Sequence, residues 1–408
     1  MTGIVIIGAG HGGGSLAANL RQFGHEGPIL LLGDEPVAPY HRPPLSKAYL
    51  KGTAARESLL FRPDSFYTDQ KIDLALGARA EFVDAAAHEV VLSDGRRLAY
   101  DKLVLATGSR ARRVDVPGAD LSGIYYLRDM ADADRIRSEL GAGRRLVIIG
   151  GGYIGLEAAA SAIALGSEAV IVEREDRILA RVACAELSAF FDGYHRAKGV
   201  EILTGRVVSA LEGESGHVRA VLLADGSRIA CDAVLVGIGA IACDELAVSA
   251  GLVCEGGVVV DEEARTSDPD IYAIGDMTSR PLPLYGGRRF RLESVPNAVE
   301  QARRVAADIT GRPQGPHEVP WFWSDQYELK LQIAGVPFDS RHLAVRGSVE
   351  DRKFAIFHLS DDNRVLAVEA VGMPAEFMAG RALVACRKAV PPDQITDLTI
   401  SIKEIAGS

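Results

Sequence analysis

The sequence predicts an α/β fold with two parallel sheets, one domain inserted in the other, followed by a smaller α+β region. Three observations predict it. The loop Gly8-Ala9-Gly10-His11-Gly12-Gly13 directly follows the apolar residues 4–7, and helical periodicity follows the loop. The loop Gly150-Gly151-Gly152-Tyr153-Ile154-Gly155 repeats this order after residues 146–149. From about Trp321 the texture changes to short alternating segments with polar turns. A strand, a glycine-rich turn and a helix in that order open a Rossmann-like unit, whose turn carries a dinucleotide phosphate. Two such loops imply two dinucleotide sites in one polypeptide, and enzymes with two such sites pass electrons between them.

The first unit reads strand, loop, helix over 15–23 and strand over 29–32. Leu16, Ala17, Leu20 and Phe23 form one buried stripe, and Gly24 stops the helix. A right-handed crossover places both strands in one parallel sheet with the loop at their carboxyl ends. Prolines between 36 and 44 mark a turn, and a helical stretch is predicted from Leu45. Residues 103–106 form a buried strand ended by Thr107-Gly108-Ser109. Residues 110–117 read as a linker, with Pro117-Gly118 a turn. A helix over 129–140 leads to the second unit: strand 146–149, loop, helix 156–165 and strand 169–172. Asp225-Gly226 signals a hairpin, 233–236 a further strand, and 271–274 a strand ending in Gly275-Asp276. Segments 342–347, 354–359 and 365–371 read as antiparallel strands, the last two joined through Asp361-Asp362-Asn363. Residues 1–112 and 240–318 are thus read as one nucleotide domain, 113–239 as the second, and 319–408 as a C-terminal domain.

At 408 residues the chain is large enough for several cores. Its 48% hydrophobic and 25% charged residues suit a soluble globular protein. No apolar run reaches the roughly 18 residues that span a bilayer, and the chain enters a strand at once rather than a targeting segment. The net charge of −10 argues against a nucleic-acid partner. Cys184, Cys231, Cys243, Cys254 and Cys386 are scattered without a CxxC pair, which suits a reducing cytoplasm.

In each loop the first glycine (Gly8, Gly150) permits a tight turn. The second (Gly10, Gly152) admits the pyrophosphate, and the third (Gly13, Gly155) lets helix and strand pack closely. An acid at the end of the next strand binds ribose hydroxyls: Asp34 or the adjacent Glu35 in the first site, Glu173 in the second. A carboxylate at Glu173 also repels a 2′-phosphate, which favours NADH over NADPH.

The chain resembles, nearly end to end, the FAD-dependent pyridine-nucleotide oxidoreductases. More narrowly it is similar to the putidaredoxin reductase-like family, which serves bacterial cytochrome P450 and ring-hydroxylating dioxygenase systems, on a glutathione reductase-like fold. The segments that carry this are Arg42-Pro43-Pro44-Leu45-Ser46-Lys47, Leu105-Ala106-Thr107-Gly108, Tyr153-Ile154-Gly155-Leu156-Glu157 and Thr266-Ser267-Asp268-Pro269 with Tyr272-Ala273-Ile274-Gly275-Asp276. Glu293-Ser294-Val295-Pro296-Asn297-Ala298 and Pro320-Trp321-Phe322-Trp323-Ser324-Asp325-Gln326 complete the set. The resemblance implies FAD at the first loop and NADH at the second. It places Lys47 beside the flavin, paired with Glu157, as the catalytic residues. It carries cofactor contacts to Gly12, Asp34, Ala80, Arg128, Asp276, Val295 and Trp323, and on the nicotinamide side to Tyr153, Ile154, Glu173 and Gly239. The chain departs from the pattern at Ala242-Cys243, where many members carry Pro-Asn.

No cysteine lies near residues 40–50, where relatives that reduce an internal disulfide carry their pair. The electron acceptor is therefore external, and the resemblance points to a [2Fe-2S] ferredoxin. Such ferredoxins are usually acidic, so docking on this acidic chain calls for a local basic patch. The candidates are Arg62, Arg303, Arg304 and Lys403, with Arg288, Arg289 and Arg291. Rival readings are a rubredoxin or monodehydroascorbate-type reductase, an NADH oxidase or peroxidase, and an apoptosis-inducing-factor-like signalling flavoprotein.

Overall fold

The computed structural model describes residues 3–407, which divide into two compact units. One holds residues 3–41, 59–110 and 241–322; the other holds 42–58, 111–240 and 323–407.

The first unit is built on a parallel sheet in the order Ile271–Ala273, Lys102–Leu105, Ile4–Ile7, Ile29–Gly33, Ile72–Leu76. Strand Ile4–Ile7 is buried along its whole length. Ile4 and Ile6 pack with Leu16, Leu20, Ala302 and Val305, from helices His11–Gln22 and Val295–Ile309. Val5 and Ile7 face the opposite cluster, which includes Val83, Val90 and Leu92 of an antiparallel three-stranded sheet. Apolar residues at every position, rather than every second one, are what a parallel strand covered on both faces requires. Each such side chain contributes roughly 2–3 kcal/mol on burial.

The second unit repeats the plan with strands Glu201–Leu203, Glu168–Val172, Arg145–Ile149, Ala233–Val236 and Ile124–Tyr125. Helix Tyr153–Ala164 follows its central strand, and the Asp225-Gly226 hairpin joins His217–Leu223 to Arg228–Ala230. The C-terminal antiparallel sheet runs Trp321–Gln326, Leu329–Gly335, Val365–Val371, Lys353–Leu359, His342–Ser348. Residues 42–58 and 323–407 cluster with 111–240 rather than standing apart.

Three local expectations need correction. The first helix begins at His11 rather than residue 15, because Gly12, Gly13 and Gly14 are themselves its first turn. The stretch from Leu45 is not an α-helix. Pro43–Ser46 forms a 3-10 turn, and Lys47 leaves helical geometry at φ −123°, ψ −110°. The segment read as a linker from 110 contains part of a short strand, Ser109–Ala111. Among the described residues no helix is long and apolar enough to cross a membrane.

Candidate active site

The two glycine loops are the same device built once in each unit. Gly8 has φ +116° and Gly150 φ +111°, a region that only glycine occupies without strain. A Cβ on Gly8 would lie 2.2 Å from the Ala106 carbonyl oxygen, and one on Gly150 2.4 Å from that of Gly237. Gly13 and Gly155 close the turns: a Cβ there would lie 2.0 and 2.3 Å from the carbonyl oxygens of Gly8 and Gly150. Gly10 and Gly152 are the reverse case, since a Cβ at either meets nothing within 4 Å. Gly12 is buried, with Ile274 Cδ1 3.2 Å from its would-be Cβ, so packing alone accounts for this glycine.

Gly10 and Gly152 are also the N-caps of their helices, and neither helix has a side-chain cap or an acid in its first turn. Every other α-helix among the described residues has a side-chain cap or an acid in its first turn. Asp129 and Asp132 form a capping box, and Ser294 accepts from the Asn297 N–H. Uncapped N–H groups, the positive end of a helix dipole and open space at the middle glycine together fit a dinucleotide pyrophosphate. The residues present therefore fit FAD and a nicotinamide dinucleotide.

The neighbouring acids differ in what they already hold. Asp34 is exposed at the end of Ile29–Gly33, whereas Glu35 accepts from the Tyr40 hydroxyl at 2.6 Å. Of the two acids Asp34 is thus the more open to solvent. Glu173 accepts from Gly151 N–H at 2.7 Å and from Glu175 N–H at 2.9 Å, so it braces the second loop from the adjacent strand end. Arg174 turns away to pair with Glu175. Asp276 follows Ile271–Ala273 in a 3-10 turn and accepts from the Ser109 hydroxyl at 3.0 Å. Val295 opens helix Val295–Ile309, and Ala80 opens strand Ala80–Asp84. These residues all lie in the first unit except Gly151, Glu173, Arg174 and Glu175.

The second unit brings Lys47 and Glu157 together. Lys47 Nζ lies 2.8 Å from Glu157 Oε2, and the carboxylate is 5% exposed. Ser46 donates to the same oxygen at 2.6 Å, and Ser324 donates to Oε1 at 2.6 Å. Glu157 is the fifth residue of its helix and so is committed to this cluster rather than to the helix N-terminus. One turn on, Ser161 donates to the Ser46 carbonyl at 2.7 Å and fixes the 3-10 turn against the helix. Arg42 clamps the same turn by donating to the Arg128 carbonyl at 2.8 Å. Tyr153 opens the helix and donates to the Val182 carbonyl at 3.3 Å. Burial, then the nearby Glu369, Cys184 and Glu157, hold its phenol well above the ordinary range. Ile154 beside it is half exposed, Gly239 accepts from Arg112 N–H, and Trp323 is half buried in its strand.

The basic patch is only partly at the surface. Arg303 is exposed and pairs with Glu318, Arg62 is exposed beside Phe66, and Lys403 is exposed. Arg304 is 4% exposed, donates to the Glu262 and Gly315 carbonyls and pairs with Glu263. It is therefore a structural residue and leaves the docking set. Arg289 spends its guanidinium on the Val260 carbonyl, and Arg291 pairs with Glu293.

Sequence reasoning did not single out Ser46, Ser324, Gln326 or His195, which surround or extend from Glu157. The available signal was Ser324 and Gln326 two apart in a strand, a spacing that puts both on one face.

The family described as pyridine nucleotide-disulphide oxidoreductase matches residues 2–302, and the reductase C-terminal family matches 321–406. A probable ferredoxin reductase of Castellaniella defragrans is 46% identical over 99% of this chain and 98% of its own. A putidaredoxin reductase of Pseudomonas putida is 44% identical over 99% and 97%. The crystal structure of a covalent putidaredoxin reductase–putidaredoxin complex matches with a TM-score of 0.96 and 43% identity, covering 100% of this chain and 98% of the other. With two family matches, two uncapped glycine loops and a Lys–Glu pair whose carboxylate is buried, the chain belongs to the pyridine nucleotide-disulphide oxidoreductase family and carries its reductase C-terminal domain.

Proposed function

We propose that this protein is an NADH-dependent ferredoxin reductase of the cytoplasm, with FAD at the Gly8–Gly13 loop and NADH at the Gly150–Gly155 loop. The observation that carries the reading is the duplicated uncapped loop in a chain with no cysteine before Cys184. Two dinucleotides fit, and no early cysteine pair is present to receive electrons. The acceptor is then a separate protein, a [2Fe-2S] ferredoxin that serves a cytochrome P450 or ring-hydroxylating dioxygenase. The ferredoxin-reductase relatives and the reductase–putidaredoxin complex support this acceptor class.

FAD, when bound, supplies the chemistry that accepts a hydride and releases electrons one at a time. The chain's own residues bind, orient and set the local charge. The helix N-termini at Gly10 and Gly152 hold the two pyrophosphates. Asp34 and Glu173 hold ribose hydroxyls, and Glu173 disfavours a 2′-phosphate. Asp276, Ala80 and Val295 complete the flavin's binding set in the first unit, and Arg128 and Trp323 are the contacts that the family resemblance assigns in the second. Lys47 supplies a fixed positive charge whose position is set by Glu157, so negative charge developing on the cofactor is stabilised without reorganisation. Tyr153, Ile154 and Gly239 line the nicotinamide side. Arg62, Arg303 and Lys403 steer the acidic ferredoxin.

The test is anaerobic turnover of the purified yellow protein with NADH and a [2Fe-2S] ferredoxin. Ferredoxin reduction with NADH strongly preferred over NADPH supports the reading. Preference for NADPH overturns the role of Glu173. Equal NADH consumption with oxygen or peroxide alone makes the protein an oxidase or peroxidase instead.

A further inference from the structure

Glu157 is the end of a longer polar chain that crosses the core of the second unit. Ser324 Oγ lies 2.6 Å from Glu157 Oε1, and Gln326 Nε2 lies 3.1 Å from Ser324 Oγ. His195 Nε2 lies 2.8 Å from Gln326 Oε1, and the Tyr327 hydroxyl lies 3.4 Å from His195 Nδ1. Ser324, Gln326 and His195 are wholly buried. The first two share one face of strand Trp321–Gln326, and His195 comes from helix Ala185–Ala197. Buried polar groups on three separate elements are costly unless each is satisfied.

The charge on Glu157 fixes every proton in the chain. A carboxylate paired with an ammonium only accepts, so Ser324 must donate to it. The Ser324 oxygen then accepts from Gln326, which turns the amide nitrogen toward Ser324 and the amide oxygen toward His195. His195 must therefore donate from Nε2, which leaves Nδ1 to accept from Tyr327. Every donor points toward Glu157, an alignment in which each bond polarises the next. Burial pushes His195 down to about 4, so the imidazole stays neutral near pH 7 and keeps this tautomer.

We propose that Ser324, Gln326 and His195 are positioning residues that hold the Glu157 carboxylate turned onto Lys47. A buried histidine three hydrogen bonds away from Glu157 thereby governs the charge that the Lys47–Glu157 pair presents. The proposal rests on the reading of that pair as the flavin-side residues, and it gives the PWFWSDQ segment a task beyond packing.

The test uses the FAD-loaded protein with Ser324→Ala, Gln326→Leu and His195→Leu, and with Ser324→Thr and His195→Gln as conservative partners. Two quantities are read: kcat and KM for NADH with ferricyanide, and the flavin midpoint potential by dithionite titration. Losing the charge-assisted hydrogen bond in Ser324→Ala should lower kcat about tenfold with KM unchanged, and the neutral bonds lost in Gln326→Leu and His195→Leu should lower it less. The midpoint potential should shift from the parent value, because the carboxylate is no longer held in one orientation beside Lys47. Ser324→Thr and His195→Gln should recover most of both quantities. If His195→Leu fails to fold, Ser324→Ala, which removes a single oxygen, carries the test. Wild-type kcat and potential in Ser324→Ala, with the parent protein turning over normally, would overturn the proposal alone. A parent protein that NADH does not reduce, with potentials that still shift in the variants, would overturn the functional reading and leave the chain standing.

Discussion

The substitution Gly152→Asp separates helix stability from nucleotide binding, because the two should move in opposite directions. Gly152 has φ −82° and ψ 179°, which any L-residue adopts, and its Cβ would meet nothing within 4 Å. Aspartate is a preferred N-cap, so the helix should gain a few tenths of a kcal/mol over glycine. The same carboxylate would stand about 4 Å from a phosphate in the cradle. At an effective dielectric near 20 that repulsion is about 4 kcal/mol, or roughly a thousandfold in affinity. Calorimetric titration with NADH should therefore show binding weakened about a thousandfold, with flavin content and melting temperature preserved. Gly10→Asp should show the reverse selectivity, losing FAD while the second loop still binds NADH. A Gly152→Asp protein that binds NADH like its parent would refute the placement of the pyrophosphate on this helix.

The remaining predictions concern charge. Arg303→Glu should slow ferredoxin reduction and leave ferricyanide reduction unchanged, whereas Arg304→Glu should lower the melting temperature through a buried unpaired charge costing about 3 kcal/mol or more. Equal loss with both acceptors in folded Arg303→Glu would remove it from the docking face. Glu173→Gln should weaken NADH binding and narrow the preference over NADPH, read from kcat/KM with each nucleotide; an unchanged ratio would free Glu173 of that role. His195 is pushed down from 6.5 to about 4. Above pH 6.5 both folded and unfolded chains hold it neutral. Between 6.5 and 4 only the unfolded chain gains the proton, so stability should fall with pH by up to about 3 kcal/mol. Urea unfolding of His195→Gln across this range should lack that loss; an identical pH dependence would contradict the burial argument.

The parts of the fold set by local rules were legible in the sequence. Both glycine loops, the strands Ile4–Ile7 and Ala233–Val236 and the Asp225-Gly226 hairpin fall where period, glycine and turn chemistry place them. The Leu45 stretch was misread because Pro43 and Pro44 suit a first turn equally of a 3-10 or an α-helix, and no local residue pattern marks the break at Lys47. Arg304 looked like surface charge because helix periodicity does not reveal the carbonyls of Glu262 and Gly315 that receive it. The polar chain that ends on Glu157 draws on residues 46, 195, 324 and 326, and no local pattern joins positions so far apart.

The central claim is that electrons enter from NADH and leave singly to an iron–sulfur protein. Anaerobic stoichiometry of the FAD-loaded protein with limiting NADH and excess [2Fe-2S] ferredoxin tests it most directly. Two ferredoxins reduced per NADH oxidised, with NADH stable when ferredoxin is omitted beyond the equivalent held by the protein, is the predicted result. Continued NADH oxidation without ferredoxin, or no ferredoxin reduction with it, would contradict the account.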